Sequence, residues 1–136
     1  MDVLGTFESV LDKSDQNYIV WTKEKGKFET NDFNSFRDLT LHNTTGPAFM
    51  QNLKDGTRHI MYYDNGDLHR EGGAAVIMIN PQGSVTYNAW YRNGLKHRED
   101  GPAVNQNGLA KYYIKDIRYT KEQFLDEIVK RKIRMI

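Results

Sequence analysis

The stretch His69-Arg70-Glu71-Gly72-Gly73-Ala74-Ala75-Val76 returns as His97-Arg98-Glu99-Asp100-Gly101-Pro102-Ala103-Val104, and a fainter copy, His42-Asn43-Thr44-Thr45-Gly46-Pro47-Ala48-Phe49, precedes both. The leading histidines, at 42, 69 and 97, lie 27 and 28 residues apart. A fixed period of this length marks a repeat architecture, in which one unit cannot bury its apolar face alone and stacks on its neighbours. Each copy is followed by a turn dipeptide, Asp55-Gly56, Gln82-Gly83 or Asn107-Gly108, and then by an aromatic pair, Tyr62-Tyr63, Trp90-Tyr91 or Tyr112-Tyr113. The first two units close on Asn-Gly, at 65–66 and 93–94, whereas the third has Lys115-Asp116 and a shorter first arm. An altered last copy suits a terminal unit with no successor.

Each unit reads as two short strands with tight turns, because Asn-Gly and Asp-Gly accept positive φ at both central turn positions. Val85-Tyr87-Ala89-Tyr91 alternates with Thr86-Asn88-Trp90-Arg92, a period of two with an apolar and a largely polar face. Ala75-Val76-Ile77-Met78-Ile79 is apolar on both faces and predicts a strand covered on both sides. Pro47, Pro81 and Pro102 fall at strand starts or turns. Residues 42–119 therefore predict about six short antiparallel strands.

The flanks differ. Thr120-Lys121-Glu122-Gln123 has the form of a capping box, and Phe124, Leu125, Ile128, Val129 and Ile133 make one helical stripe behind it. Acids early and bases late in that segment suit the helix dipole. At the other end Val3, Leu4, Phe7, Val10 and Leu11 have helical spacing; Tyr18–Thr22 reads as a strand, 23–27 as a turn around Gly26, and Phe28 onward as a second strand or loop. The expected fold is α+β, mainly β: a twisted antiparallel sheet of repeated hairpins. One domain is divided into an N-terminal α/β cap over 1–41, hairpin repeats over 42–68, 69–96 and 97–119, and a capping amphipathic helix over 120–136. A bare hairpin array leaves its apolar side wet, so Phe124, Leu125, Ile128 and Val129 are the expected cover, with a homodimer as the other way to supply one.

Composition narrows the function. Nineteen Lys and Arg against eighteen Asp and Glu give a net charge of +1, so no global field points to nucleic acid or membrane. The absence of cysteine excludes disulfides, thiolate metal sites and thiol catalysis. The longest uncharged run, Gly72–Tyr91, is too punctuated by polar residues to span a bilayer, and no export signal is visible, so a cytoplasmic protein is expected. The glycines are spaced by turns and no serine stands in a triad context, so neither a phosphate loop nor a nucleophile elbow is present. His42, His69 and His97 occupy equivalent positions, which predicts one structural job done three times, such as bonding a turn backbone. No metal, cofactor or catalytic residue is assigned.

The run Trp90-Tyr91-Arg92-Asn93-Gly94-Leu95-Lys96-His97-Arg98-Glu99-Asp100-Gly101-Pro102-Ala103-Val104 resembles the MORN-variant repeat, a β-hairpin repeat of bacteriophages, large DNA viruses and antitoxin-like bacterial proteins. The resemblance covers residues 42–119. It implies an interaction surface, not a catalytic frame: a non-enzymatic accessory protein of phage or viral type that binds and inhibits a host protein, such as a bacterial defence or nuclease component. An antitoxin-like partner protein is a further possibility of the same class.

Strand alternation points one member of each aromatic pair to the second face, and the register selects Tyr62, Trp90 and Tyr112; where a terminal helix covers that face both rows are core, and where none does this row is an interaction surface. With Arg58, Arg92 and Lys111 these are the candidate partner-binding residues, because Trp, Tyr and Arg dominate binding hot spots. The same aromatics interleaved with Arg58, Arg92, Lys96, Lys111, Lys115 and the Lys130–Arg134 cluster give the alternative of single-stranded nucleic-acid binding.

Overall fold

The computed structural model describes residues 16–134; the helical spacing over 3–11 lies outside them. Thirteen strands and one long helix follow in order: β1 (Gln16–Thr22), β2 (Gly26–Thr30), a single 3-10 turn at Phe33–Ser35, β3 (Phe49–Leu53), β4 (Arg58–Met61), β5 (Tyr63–Asp64), β6 (Asp67–Leu68), β7 (Val76–Ile79), β8 (Val85–Ala89), β9 (Tyr91–Arg92), β10 (Leu95–Lys96), β11 (Val104–Gln106), β12 (Leu109–Ile114), β13 (Ile117–Tyr119) and α1 (Lys121–Arg134). The protein is α+β, a large antiparallel sheet of hairpins with a C-terminal helix.

The main sheet runs β13-β12-β11-β8-β7-β4-β3-β1-β2. Two short ribbons, β5–β6 and β9–β10, stand apart from it. Residues 42–119 thus hold eleven strand segments, not six, because Tyr62 and Trp90 split the second arm of their units and β6, β10 and β13 pair back on the split or final arm. At each interruption the chain leaves the main sheet, crosses a ribbon and comes back. Tyr62 N–H donates to Ala75 O while Tyr62 O accepts from His69 N–H; Trp90 does the same with Ala103 and His97. The ribbon turns are Asn65-Gly66 and Asn93-Gly94, with φ of 48° and 86°, then 50° and 81°. Positive φ at both positions gives a turn whose twist matches that of its strands. Lys115 and Asp116 adopt the same shape, at 49° and 68°, without a glycine.

The ribbons form a second layer. Arg70 N–H bonds Tyr91 O and Gly94 N–H bonds Leu68 O, tying ribbon to ribbon; Arg98 to Tyr113 and Asp116 to Lys96 repeat the pattern. Leu68 and Tyr91 from this layer, with Tyr113 of β12, pack on one face of the main sheet against Val76, Ala89 and Val104, and Tyr63 packs on the Tyr18, Val20 and Phe49 cluster. Farther along, Phe36, Leu39 and Leu41 cover Tyr18, Val20 and Phe49 on that same face. Met61 packs against both clusters, so the core is continuous.

This arrangement corrects the expected cover. The array roofs its inner face with its own ribbons and the 31–42 segment, and α1 closes an end. Phe124 is buried and Ile128 half-buried, but Leu125 and Val129 are 53% and 56% exposed, and the helix touches β12 and β13. The strand at Val76–Ile79 is not covered on both sides either: Val76 is buried, while Ile77, Met78 and Ile79 are half-buried. The capping box forms as its sequence predicts, Gln123 N–H donating to Thr120 Oγ1 at 3.1 Å and Thr120 N–H to Gln123 Oε1 at 3.0 Å.

Candidate protein-interaction surface

The repeated residues hold each unit in shape. Nδ1 of His42, His69 and His97 accepts the backbone N–H of Asn65, Asn93 and Lys115, at 3.0, 2.9 and 3.1 Å. Each histidine stands at the start of its unit and the N–H it accepts lies in that unit's closing turn, so the histidine is a latch within the unit. An accepting Nδ1 places the proton of the neutral ring on Nε2. In His69 this Nε2–H donates to Glu71 Oε1 at 2.9 Å. In His97 it faces Glu99 at 3.7 Å, and the Arg92 guanidinium 3.5 Å away is a second donor, hence a repulsive neighbour. Burial first, and Arg92 next, hold the His97 pKa below the ordinary histidine value, against the opposing pull of Glu99.

The residue after each histidine serves the outer face. Arg70 lies over the Tyr62 ring with Cζ 4.0 Å from the centroid, and Arg98 over Trp90 at 3.9 Å. Each guanidinium also donates to the carbonyl four residues on, Ala74 or Pro102. Asn43 keeps that backbone bond, to Pro47 O at 2.9 Å, without reaching a ring. The glycine three residues beyond the arginine is what leaves room: a Cβ on Gly73 would stand 2.8 Å from Arg70 Cζ, and one on Gly101 3.0 Å from Arg98 Cζ. At the end of the array Tyr119 and Thr120 stand where His-Arg would. Phe124 takes the cation's place over Tyr112, with ring centroids 4.9 Å apart.

The same geometry reveals a unit that the sequence period hides. Trp21 N–H donates to Ala48 O and Trp21 O accepts from His42 N–H, the pattern of Tyr62 and Trp90. Lys27 Nζ lies 5.4 Å from the Trp21 ring centroid. Trp21 is thus the first of the row, with the excursion through β2 and the 3-10 turn in place of a ribbon. Its histidine follows 21 residues later instead of seven, so self-comparison misses it.

Register defines the outer face. Ile19, Met50, Ile60 and Ile77 are directly cross-strand neighbours, followed by Asn88, Asn105 and Ala110, with Glu29 at the far end. Beside this row lie Asn17, Asn52, Arg58, Ile79 and Val85, the last 54% exposed. On its other side stand Trp21, Tyr62, Trp90 and Tyr112, alternating with Ala48, Ala75 and Ala103, all three fully buried. The residues of the Ile19–Ile77 row are half-buried, and α1 packs against β12 and β13.

The candidate residues chosen from sequence divide over this frame. Tyr62, Trp90 and Tyr112 share the outer face, as their register requires, but they are half-buried beneath Arg70, Arg98 and Phe124. Arg58 lies exposed on that face, its Nε bonding Asn52 Oδ1 at 3.1 Å. Arg92 is exposed on the β9 ribbon, and Lys111 pairs with Val104 on the opposite, inner side. The aliphatic row itself was not singled out, because its members are spread over four strands and adjoin in space alone. Among the described residues no three His, Asp or Glu side chains gather as a metal site, and no helix is long and apolar enough to cross a membrane.

No family model matches the chain, no curated protein matches it, and no solved structure matches it.

Proposed function

We propose that the protein is a non-enzymatic binding module that docks on, and blocks, another protein through the outer face of its sheet. The observation that carries this reading is the aliphatic row Ile19–Met50–Ile60–Ile77, half-buried and lying in register across four strands on the outer face. A contiguous apolar strip rimmed by polar and charged groups is the usual mark of an interaction surface. The repeated His-Arg positions are committed to the scaffold, His to a turn N–H and Arg to a ring and a carbonyl. That favours binding over catalysis by these groups. A host protein as the target follows from the MORN-variant resemblance, and cytoplasmic placement belongs to the same proposal.

The test is capture of the target by the full chain, compared with Ile60→Asp and Ile77→Asp. Both side chains point away from the inner core, so the variants are expected to keep their circular dichroism spectrum and melt within a few degrees of the parent while losing capture. Undiminished capture by folded variants would remove the outer face as the docking surface.

A further inference from the structure

The outer face carries charge in a regular pattern. Lys27, Arg70 and Arg98 each lie over the ring of an outer-face aromatic: Trp21 in β1, Tyr62 just past the end of β4 and Trp90 just past the end of β8. These strands alternate with β3 and β7 in the sheet, so the stacked cations recur on every second strand. At the usual strand spacing that is a step of about 9.6 Å, and the aliphatic row beside them steps by about 4.8 Å. Arg58 adds a cation on the other side of the row. Arg98 is already paired with Asp100 at 2.7 Å, and Glu71 binds His69 at 2.9 Å, so the uncompensated positive charge of this face rests on Lys27, Arg58 and Arg70. Arg70 has no carboxylate partner among the described residues. The surface is an apolar strip between cations, with Glu29 at its end.

We propose that this face seats an acidic amphipathic helix of the partner protein, laid across the strands; the proposal rests on the protein-binding reading above and names its ligand. One heptad of helix advances about 10.5 Å, and half a heptad about 5.3 Å. Carboxylates one heptad apart therefore meet Lys27 and Arg70, while apolar residues at the a and d positions meet one strand of the row each. The mismatch is about 1 Å per heptad, which long Lys and Arg side chains absorb. Stacking on a ring holds each guanidinium flat before the partner arrives, so less side-chain freedom is lost on binding. Two rivals fit less well. Single-stranded nucleic acid needs free ring faces for base stacking, and here cations occupy them; an aliphatic row also offers nothing to a phosphate chain. A second copy placed face to face would bring like charges together.

The experiment titrates the isotope-labelled full chain with a synthetic three-heptad helix bearing Leu at a and d and Glu at e and g. Lys-for-Glu helix and a single-stranded oligonucleotide serve as the other arms. Binding of the acidic helix is expected, with shifts at Ile19, Met50, Ile60 and Ile77. A loss of about tenfold is expected in a Lys27→Glu/Arg58→Glu double variant, with further weakening by added salt. Equal binding of the lysine helix, shifts confined to other surfaces, or tighter binding of the oligonucleotide would each overturn the proposal. If the acidic helix fails while target capture still depends on Ile60 and Ile77, the helix falls and the binding module stands. If capture ignores those residues, the module itself falls.

Discussion

His97 shows how a single side chain can close a unit on its own turn. It is buried, its Nδ1 accepts the Lys115 N–H, and its pKa is depressed chiefly by that burial. The unfolded chain, with an ordinary value near 6.5, takes up the proton first as pH falls. The latch therefore contributes its full stability above that value and loses it as pH drops through the lower folded value. Urea midpoints at roughly pH 7.5 and pH 5 should fall with acid in the parent and fall less in His97→Gln, which cannot titrate. Burial depresses His59 in the same direction, so some acid sensitivity persists in the variant. Glycine 101 makes a second residue-scale prediction. A methyl group there would meet the Arg98 guanidinium, so Gly101→Ala should lift it from Trp90. The expected cost is about 1 kcal/mol, read from chemical unfolding, together with a change in tryptophan emission. The identity of the histidine's job was legible from its threefold recurrence. The arginine's ring was not, although the spacing of eight from Tyr62 to Arg70 recurs from Trp90 to Arg98. Such a contact depends on the chain leaving the sheet and returning, which a strict strand alternation does not contain.

At the scale of elements, the ribbons and the helix differ in how plainly they were written. Asn-Gly at 65–66 and 93–94 announced the ribbon turns, and the backbone adopts positive φ at both. Lys115-Asp116 takes the same shape with two residues that resist it. Lys115→Asn should therefore raise the melting temperature, by a gain of a few tenths to about 1 kcal/mol, since the N–H that His97 receives is retained. Asp116 is better left alone, because its Oδ1 accepts Lys96 N–H at 2.8 Å. Helix α1 was legible in its cap and its stripe, but not in its target. Periodicity says which side chains share a helix face; it does not say what that face meets. Phe124 alone of the stripe is buried, stacked on Tyr112. Thr120→Ala should cost about 1 kcal/mol through the lost cap, and Phe124→Ala about 3, in the same unfolding assay.

For the molecule as a whole, the links run from each unit to the next. Main-sheet pairing and the ribbon bonds from Gly94 N–H to Leu68 O and from Asp116 N–H to Lys96 O join neighbours in the order of the chain, while the histidine latches close each unit. A two-layer array of this kind behaves as a series of similar blocks with nearest-neighbour coupling, and Trp21 and Tyr119 mark where the series is modified to begin and to stop. The sheet repeat was readable because it repeats; the second layer was not, because two-residue ribbons carry too little pattern to register as strands of their own. Both ends of each block are alike: what residue 69 receives from its predecessor, residue 97 receives from 69–96. Duplicating residues 69–96 in place should accordingly give a longer chain that folds and melts higher, by the worth of one added block and one added junction. Length, in such a molecule, is a setting that can be changed without inventing a new contact, and the docking strip would grow in step with it.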